Sequence, residues 1–140
     1  MKRTVVKKVR IGIASYEEQK KRVMAIARGE YTPKRGEPKI WFTSIESVAQ
    51  VLSTKNLELL KLIFESEPKS ITELAELSGR KQSNLTRTLK TLQRYGLVRM
   101  EAAGGAKIPT TVASKFELGF GVAPSAFTAG GEKFESGLSP

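Results

Sequence analysis

The sequence predicts a mainly α-helical chain that closes on a small β-hairpin and is preceded by a strand-helix extension. Three observations carry this expectation. Between residues 43 and 95, apolar residues recur with helical period behind Ser and Thr caps. A Gly104-Gly105 pair separates two short alternating segments, as in a tight hairpin. Near the start, Val9, Ile11 and Ile13 alternate with Arg10 and Gly12, the period of a half-buried strand.

Taken in order, Ser15 and Glu18 form a capping box after that strand, and the helix it opens runs to Arg28 before Gly29. "EYTPKRGEPK" is a charged connector rich in turn residues. Thr43 with Glu46 is expected to cap a short helix with Ile45, Val48, Ala49 and Leu52 on its apolar face. Ser53 opens the next helix, to about Glu65, with Leu57, Leu60 and Phe64 inward and Pro68 beyond its end. Ser70 and Glu73 cap a two-turn helix holding Leu74 and Leu77, which Gly79 ends. A longer helix follows, near Lys81 to Tyr95. Its Leu85, Leu89 and Leu92 fall within about 60° of one another, so they form the buried stripe, while Ser83, Arg87, Lys90 and Arg94 lie opposite. "LVRME" and "KIPTTV" then read as the two strands of the hairpin, with Pro109 marking the return strand as an edge.

Composition bounds the chemistry. The 140 residues carry 24 Lys and Arg against 14 acidic groups, all Glu, for a formal net charge of +10, a balance that favours a polyanionic partner. With no Cys, His or Asp, the usual zinc sites, thiol nucleophiles and the Ser-His triad have no residues to build them. The pairs Glu17 with Glu18 and Glu65 with Glu67 sit at helix ends, where carboxylates cap or solvate, and "GGAKIPTT" lacks phosphate-loop spacing. No enzyme activity, catalytic residue, metal or cofactor is expected. No apolar stretch suggests a membrane span, and the N-terminus reads as neither a secretory nor a transit peptide, so the expectation is a cytoplasmic protein.

Charge is unevenly distributed. Residues 1 to 40 hold 12 basic and 4 acidic groups and residues 80 to 115 hold 8 and 1, whereas residues 41 to 79 are mildly acidic. From Leu77 to Met100, 24 consecutive residues contain no carboxylate. An ordinary solvated helix intersperses Glu to relieve repulsion between its cations. This one does not.

Helix, short helix, tight turn, longer helix and hairpin is the order of a winged helix-turn-helix. Residues 53 to 112 resemble MarR-like and ArsR-like winged-helix regulators, with "ITELAELSG" as support helix, "RKQSNLTRTLKTLQRYGLV" as recognition helix and "RMEAAGGAKIPTTV" as wing. The span 40 to 118 is similar to a prokaryotic group of MarR-like DNA-binding proteins, some of them suspected antitoxins encoded beside a toxin. The long C-terminal dimerisation helix of a typical MarR regulator is missing from this sequence. The implied organisation is a basic strand-helix extension and linker at 1 to 39, a DNA-binding domain at 40 to 118 and a flexible tail at 119 to 140.

Double-stranded DNA as partner accounts for the acid-free run, since a helix entering the major groove carries no carboxylate outward without repulsion from the phosphates. The expected contact set is Arg80, Lys81, Gln82, Ser83, Asn84, Thr86, Arg87, Lys90, Arg99 and Lys107. Within it Arg87 suits guanine, Gln82 or Asn84 suits adenine, and Thr86 suits a phosphate or a thymine methyl, as Thr88 does. Arg99 and Lys107 sit where a wing meets the DNA backbone, and Arg94 touches phosphate or only water. Each has an ordinary alternative: Arg87 as a solvated arginine, Gln82 and Asn84 as caps, Lys107 as guard of an exposed edge.

The resulting expectation is a sequence-specific regulator of transcription, acting as a repressor and homodimer on palindromic operator DNA. The alternative is an antitoxin that binds a toxin through the C-terminal tail and autoregulates its operon. RNA binding ranks third, for want of stacking aromatics on the basic face. Two apolar surfaces are spare, the Val9, Ile11, Ile13 strand and the Phe116, Leu118, Phe120 alternation; one is expected to make the dimer unless both complete the domain's own core. The basic N-terminal run reads equally as a DNA arm, a dimer strand or a tail.

Overall fold

The structure, a computed structural model, describes residues 7 to 121. Its elements run β1 (Lys8–Ile13), α1 (Tyr16–Ala27), β2 (Ile40–Phe42), α2 (Ile45–Val51), α3 (Thr54–Ser66), α4 (Ile71–Ser78), α5 (Gln82–Arg94), β3 (Val98–Ala103), β4 (Ala106–Thr111) and β5 (Lys115–Gly119). From α3 to β4 the order is that of a winged helix-turn-helix. The fold is nevertheless α/β rather than mainly α. Besides the antiparallel β3-β4 hairpin there is a three-stranded sheet of order β2-β1-β5, parallel at both junctions.

That sheet removes one of the two apolar surfaces expected to be spare, the Val9, Ile11 and Ile13 strand. Val9 pairs with Phe116 and Ile11 with Leu118 on one side of β1, and Ile11 pairs with Ile40 and Ile13 with Phe42 on the other. β1 is therefore the middle strand, both of its edges occupied within the chain. Residues 8 to 13 of the basic run belong to it, while residues 1 to 6 lie outside the described residues.

The inner face of this sheet and the leucine stripe of the helices share one core. Val9, Ile11, Ile40 and Phe42 join Leu59, Leu60, Ile63, Leu74, Leu85, Leu89, Leu92, Leu97 and Val98 in it. Phe42 is fully buried and stacks on Tyr95, at the end of α5, with ring centroids 4.4 Å apart and planes 7° from parallel. The outer face carries Gly12, whose missing side chain leaves room for the Trp41 ring. A Cβ there would lie 2.6 Å from Trp41 Cζ3 and 2.9 Å from Pro38 Cγ.

Capping follows the expected chemistry with two shifts. Ser15 and Glu18 form the capping box of α1 as read from sequence. The box of α2 is Ser44 with Ser47, not Thr43 with Glu46: the Ser44 hydroxyl accepts from Ser47 N–H at 3.0 Å and the Ser47 hydroxyl accepts from Ser44 N–H at 3.2 Å. The apolar side of α2 is Val48, Val51 and Leu52, leaving Ile45 and Ala49 exposed, because only one side of this two-turn helix meets the core. In α3 the inward residues are Leu59, Leu60 and Ile63, with Leu57 exposed and Phe64 half-buried. Apolar residues lie nearly all round this helix, so its period alone leaves the face open. In α4, Leu74 is fully buried while Leu77 is exposed; Ile71 and Ala75 complete the stripe instead. Glu73 of α4 accepts from Lys69 N–H rather than from Ser70 N–H, so that box is half made.

The hairpin behaves as its turn residues require. Gly104 and Gly105 both have positive φ, 54° and 83°, and Ala103 pairs with Ala106 across a two-residue loop. Hydrogen-bonded and non-bonded pairs alternate from that closing pair, which places Met100–Pro109 among the non-bonded ones, so the missing Pro109 N–H breaks no rung.

Candidate nucleic-acid interface

The candidate surface is the outer face of α5, and its rigidity begins with its buried side. Leu85, Leu89 and Leu92 are 0%, 1% and 0% exposed, which fixes the helix in rotation against the core. The opposite side then presents Ser83, Arg87, Lys90 and Arg94 to solvent, with exposed Asn84 beside them. Thr86 and Thr88 are half-buried along the flanks. Among the described residues none of Arg87, Lys90, Arg94, Arg99 and Lys107 forms an ion pair.

The approach to α5 is a tight turn. Gly79 closes α4 in the left-handed region at φ 73°, and Arg80 and Lys81 lead directly into the helix. Arg80 is half-buried and tied down: its Nη2 donates to the Lys55 carbonyl at 2.8 Å, and its N–H donates to Ser78 Oγ at 3.3 Å. The guanidinium thus braces the turn against the first residues of α3. Lys81 is the N-cap but supplies no side-chain cap, whereas α1 to α4 each have a serine cap. The first-turn N–H groups of α5 add the positive end of the helix dipole to the surrounding cations.

Gln82 is exposed, and its Oε1 accepts from Thr72 Oγ1 of α4 at 3.3 Å. An amide oxygen can accept two hydrogen bonds, so the Thr72 bond holds Gln82 against α4 without excluding bidentate reading of adenine. Thr72 is the residue that sequence reading missed. Its available signal was a hydroxyl in the first turn of the support helix, ten residues before Gln82.

The wing separates its two cations. Arg99 is paired with Thr110 and Lys107 with Ala102, and strand alternation puts these two pairs on opposite faces of the hairpin. Lys107 lies toward the tip, on the face that continues Val98 and Met100. Arg99 shares the other face with Glu101, the one carboxylate of residues 80 to 115. The two cannot bind one row of phosphates together.

A family model, HVO_A0114, matches residues 51 to 118, from the end of α2 through β5. Among solved structures, the chain is similar to the crystal structure of the predicted DNA-binding transcriptional regulator from E. coli, with a TM-score of 0.44 and 16% identity over 67% of this chain and 84% of that one. No functionally curated protein matches the chain. Among the described residues no helix is long and apolar enough to cross a membrane.

Proposed function

We propose that the chain is a sequence-specific DNA-binding regulator of transcription, MarR-like or ArsR-like in its mode of contact, which acts as a homodimer on palindromic operator DNA and represses by occupying it. The observation that carries this reading is the outer face of α5: cations with no ion-pair partner among the described residues, no carboxylate, and a backbone locked by three buried leucines. DNA places about one negative charge per 1.7 Å of axis, and such a face meets it without desolvating or repelling a carboxylate. Arg87 sits centrally and reads a base edge; Ser83, Asn84, Lys90 and the N-terminal end of α5 hold phosphates or neighbouring bases. Two copies are required because the two halves of a palindrome lie about 34 to 36 Å apart and each needs its own α5.

The test is selection of binding sites from random duplex DNA, followed by affinity measurements on variants. Arg87→Ala should weaken the selected site by about 1 to 3 kcal/mol and relax the preference at one base pair. Lys107→Ala should weaken all sequences alike and reduce the salt slope by about 0.9 if one phosphate contact is lost. A folded Arg87→Ala protein with unchanged affinity and base preference would refute the assignment of α5. The antitoxin reading rests on the C-terminal tail as the segment that binds the toxin, and residues 122 to 140 of it lie outside the described residues. Co-purification with the product of a neighbouring gene is its test.

A further inference from the structure

Of the two apolar alternations that the sequence leaves spare, the fold consumes one and leaves the other half free. β1 is enclosed, but β5 is an edge strand, bonded to β1 on one side and to no described strand on the other. Lys115 N–H donates to the Lys7 carbonyl, and Lys8 is the register partner of Lys115. In a parallel pair the backbone groups of alternate residues turn to the same neighbour. Residues 115, 117 and 119 therefore face β1, and the N–H and C=O of Phe116 and Leu118 point away from it, toward no described strand. The side chains on that alternation are apolar, and two of them are uncovered: Leu118 is 45% exposed and Phe120 is 56% exposed. Parallel sheets ordinarily have covered strands, and an apolar free edge is a template for pairing.

We infer that β5 is the dimer interface, pairing antiparallel with β5 of a second copy about a two-fold axis at Leu118. This rests on the homodimer reading above and names its surface. The register follows from side-chain self-complementarity. With the axis at Leu118, Leu118 opposes its own copy and Phe116 opposes Phe120 on one face, all apolar. On the other face Glu117 opposes Gly119 and Lys115 opposes Gly121, so no charge faces a like charge. The same outward backbone groups permit an axis at Glu117, but that places two carboxylates opposite each other and leaves Phe120 against Ser114. Glu117 is held on the outer face of its own sheet by Lys8, Arg10 and Lys115 at 3.5 to 3.9 Å, which directs charge away from the joined edge.

The chain contains no cysteine, so single-cysteine cross-linking reads the register directly. Directly opposed residues in a hydrogen-bonded antiparallel pair lie about 5.5 Å apart at Cα, within disulfide reach. The wild-type chain should be dimeric by light scattering at micromolar concentration. Leu118→Cys should cross-link under mild oxidation and Glu117→Cys should not. Leu118→Lys should raise the dimer dissociation constant at least about tenfold, or about 1.4 kcal/mol. Phe120→Lys, at a more exposed position, should weaken the dimer without touching the core, and Leu118→Pro removes an outward N–H that no intrachain rung uses. A monomeric wild type, a dimer indifferent to all three, or cross-linking at Glu117 in place of Leu118 would overturn the proposal. DNA binding separates this result from the reading above: monomeric variants that still bind a half-site leave α5 intact, whereas a cross-linked dimer with no affinity for DNA sinks α5 and spares the interface.

Discussion

The outer face of α5 and the outer face of the β2-β1-β5 sheet are both built from a basic block, yet they treat charge in opposite ways. On the sheet, Lys8, Arg10 and Lys115 converge on one carboxylate, Glu117, and beside it Arg22 pairs with Glu37 at 2.7 Å while lying over the Trp41 and Tyr31 rings. On α5, Arg87, Lys90 and Arg94 have no such partner among the described residues. Net charge therefore does not locate a polyanion surface. Compensated cations hold a structure together, and uncompensated ones are available to something outside it.

The two faces are joined through Phe42, which belongs to the sheet but stacks on Tyr95 at the end of α5. Phe42→Ala removes that contact and opens a cavity in the shared core, so it should destabilise the protein by about 3 to 5 kcal/mol. Urea unfolding followed by both Trp41 fluorescence and far-UV circular dichroism should show one coincident transition at a lower midpoint. Two separate transitions would mean that the sheet and the helices are independent units, and the contrast between them would then be one between domains.

Gly12→Ala tests the sheet side alone. In an ordinary strand this change slightly favours folding, because glycine loses more backbone freedom than alanine. Here the new methyl would fall 2.6 Å from the Trp41 ring, which Arg22 covers from 5.3 Å. The expected effect is a loss of about 1 to 3 kcal/mol, with DNA affinity unchanged wherever the protein remains folded. A gain in stability would show that Trp41 is free to move.

How much of this was legible in the sequence depends on the distance over which each element is decided. The stripe of Leu85, Leu89 and Leu92, the Ser15 and Ser70 caps and the Gly104-Gly105 turn are set by residues within a few positions of one another, and the structure keeps them. The parallel sheet is set by pairing across the whole chain: Lys7 meets Ser114 at a separation of 107 residues, and β2 contributes only three. No local period announces such a partner, although Gly12 within an alternating strand was a sign of close approach at that point. The site divides along the same line. Exposure of Arg87 and Lys90 follows from helical period, whereas the engagement of Arg80 with Lys55 and of Gln82 with Thr72 depends on how α3, α4 and α5 pack.

Glu117→Gln asks whether compensation is what silences the sheet face. Stability should fall by no more than about 1 kcal/mol, as for exposed ion pairs generally, and less at high salt. The freed Lys8, Arg10 and Lys115 should raise affinity for non-specific duplex and steepen its salt dependence by up to about 0.9 per phosphate newly held. Base preference at a selected site should stay the same, because α5 is untouched. A changed preference would place the sheet face at the DNA and erase the distinction drawn between the two surfaces.

The smallest effect belongs to the joint that sets α4, and through it α5, against α3. Glu67 ends α3 in the left-handed region at φ 47° and ψ 62°, the one non-glycine residue with positive φ among those described. Its N–H still donates to the Ile63 carbonyl at 3.1 Å, so the helix ends on a satisfied turn. Buried Pro68 follows and disfavours the right-handed helical region at Glu67, which ends α3 here without by itself selecting the left-handed conformation. A side chain there costs about 1 to 2 kcal/mol relative to the ordinary region, and glycine escapes this at the expense of a more disordered unfolded chain. The two opposing terms leave Glu67→Gly stabilising by up to about 1 kcal/mol, with Glu67→Asn between glycine and wild type. Urea midpoints with an unchanged slope are the measurement, and DNA affinity should not move because the joint's geometry is retained. A lower midpoint for Glu67→Gly would show that the joint is held by the Glu67 side chain rather than merely tolerating it, and the helical region would then share the sheet's reliance on a single carboxylate.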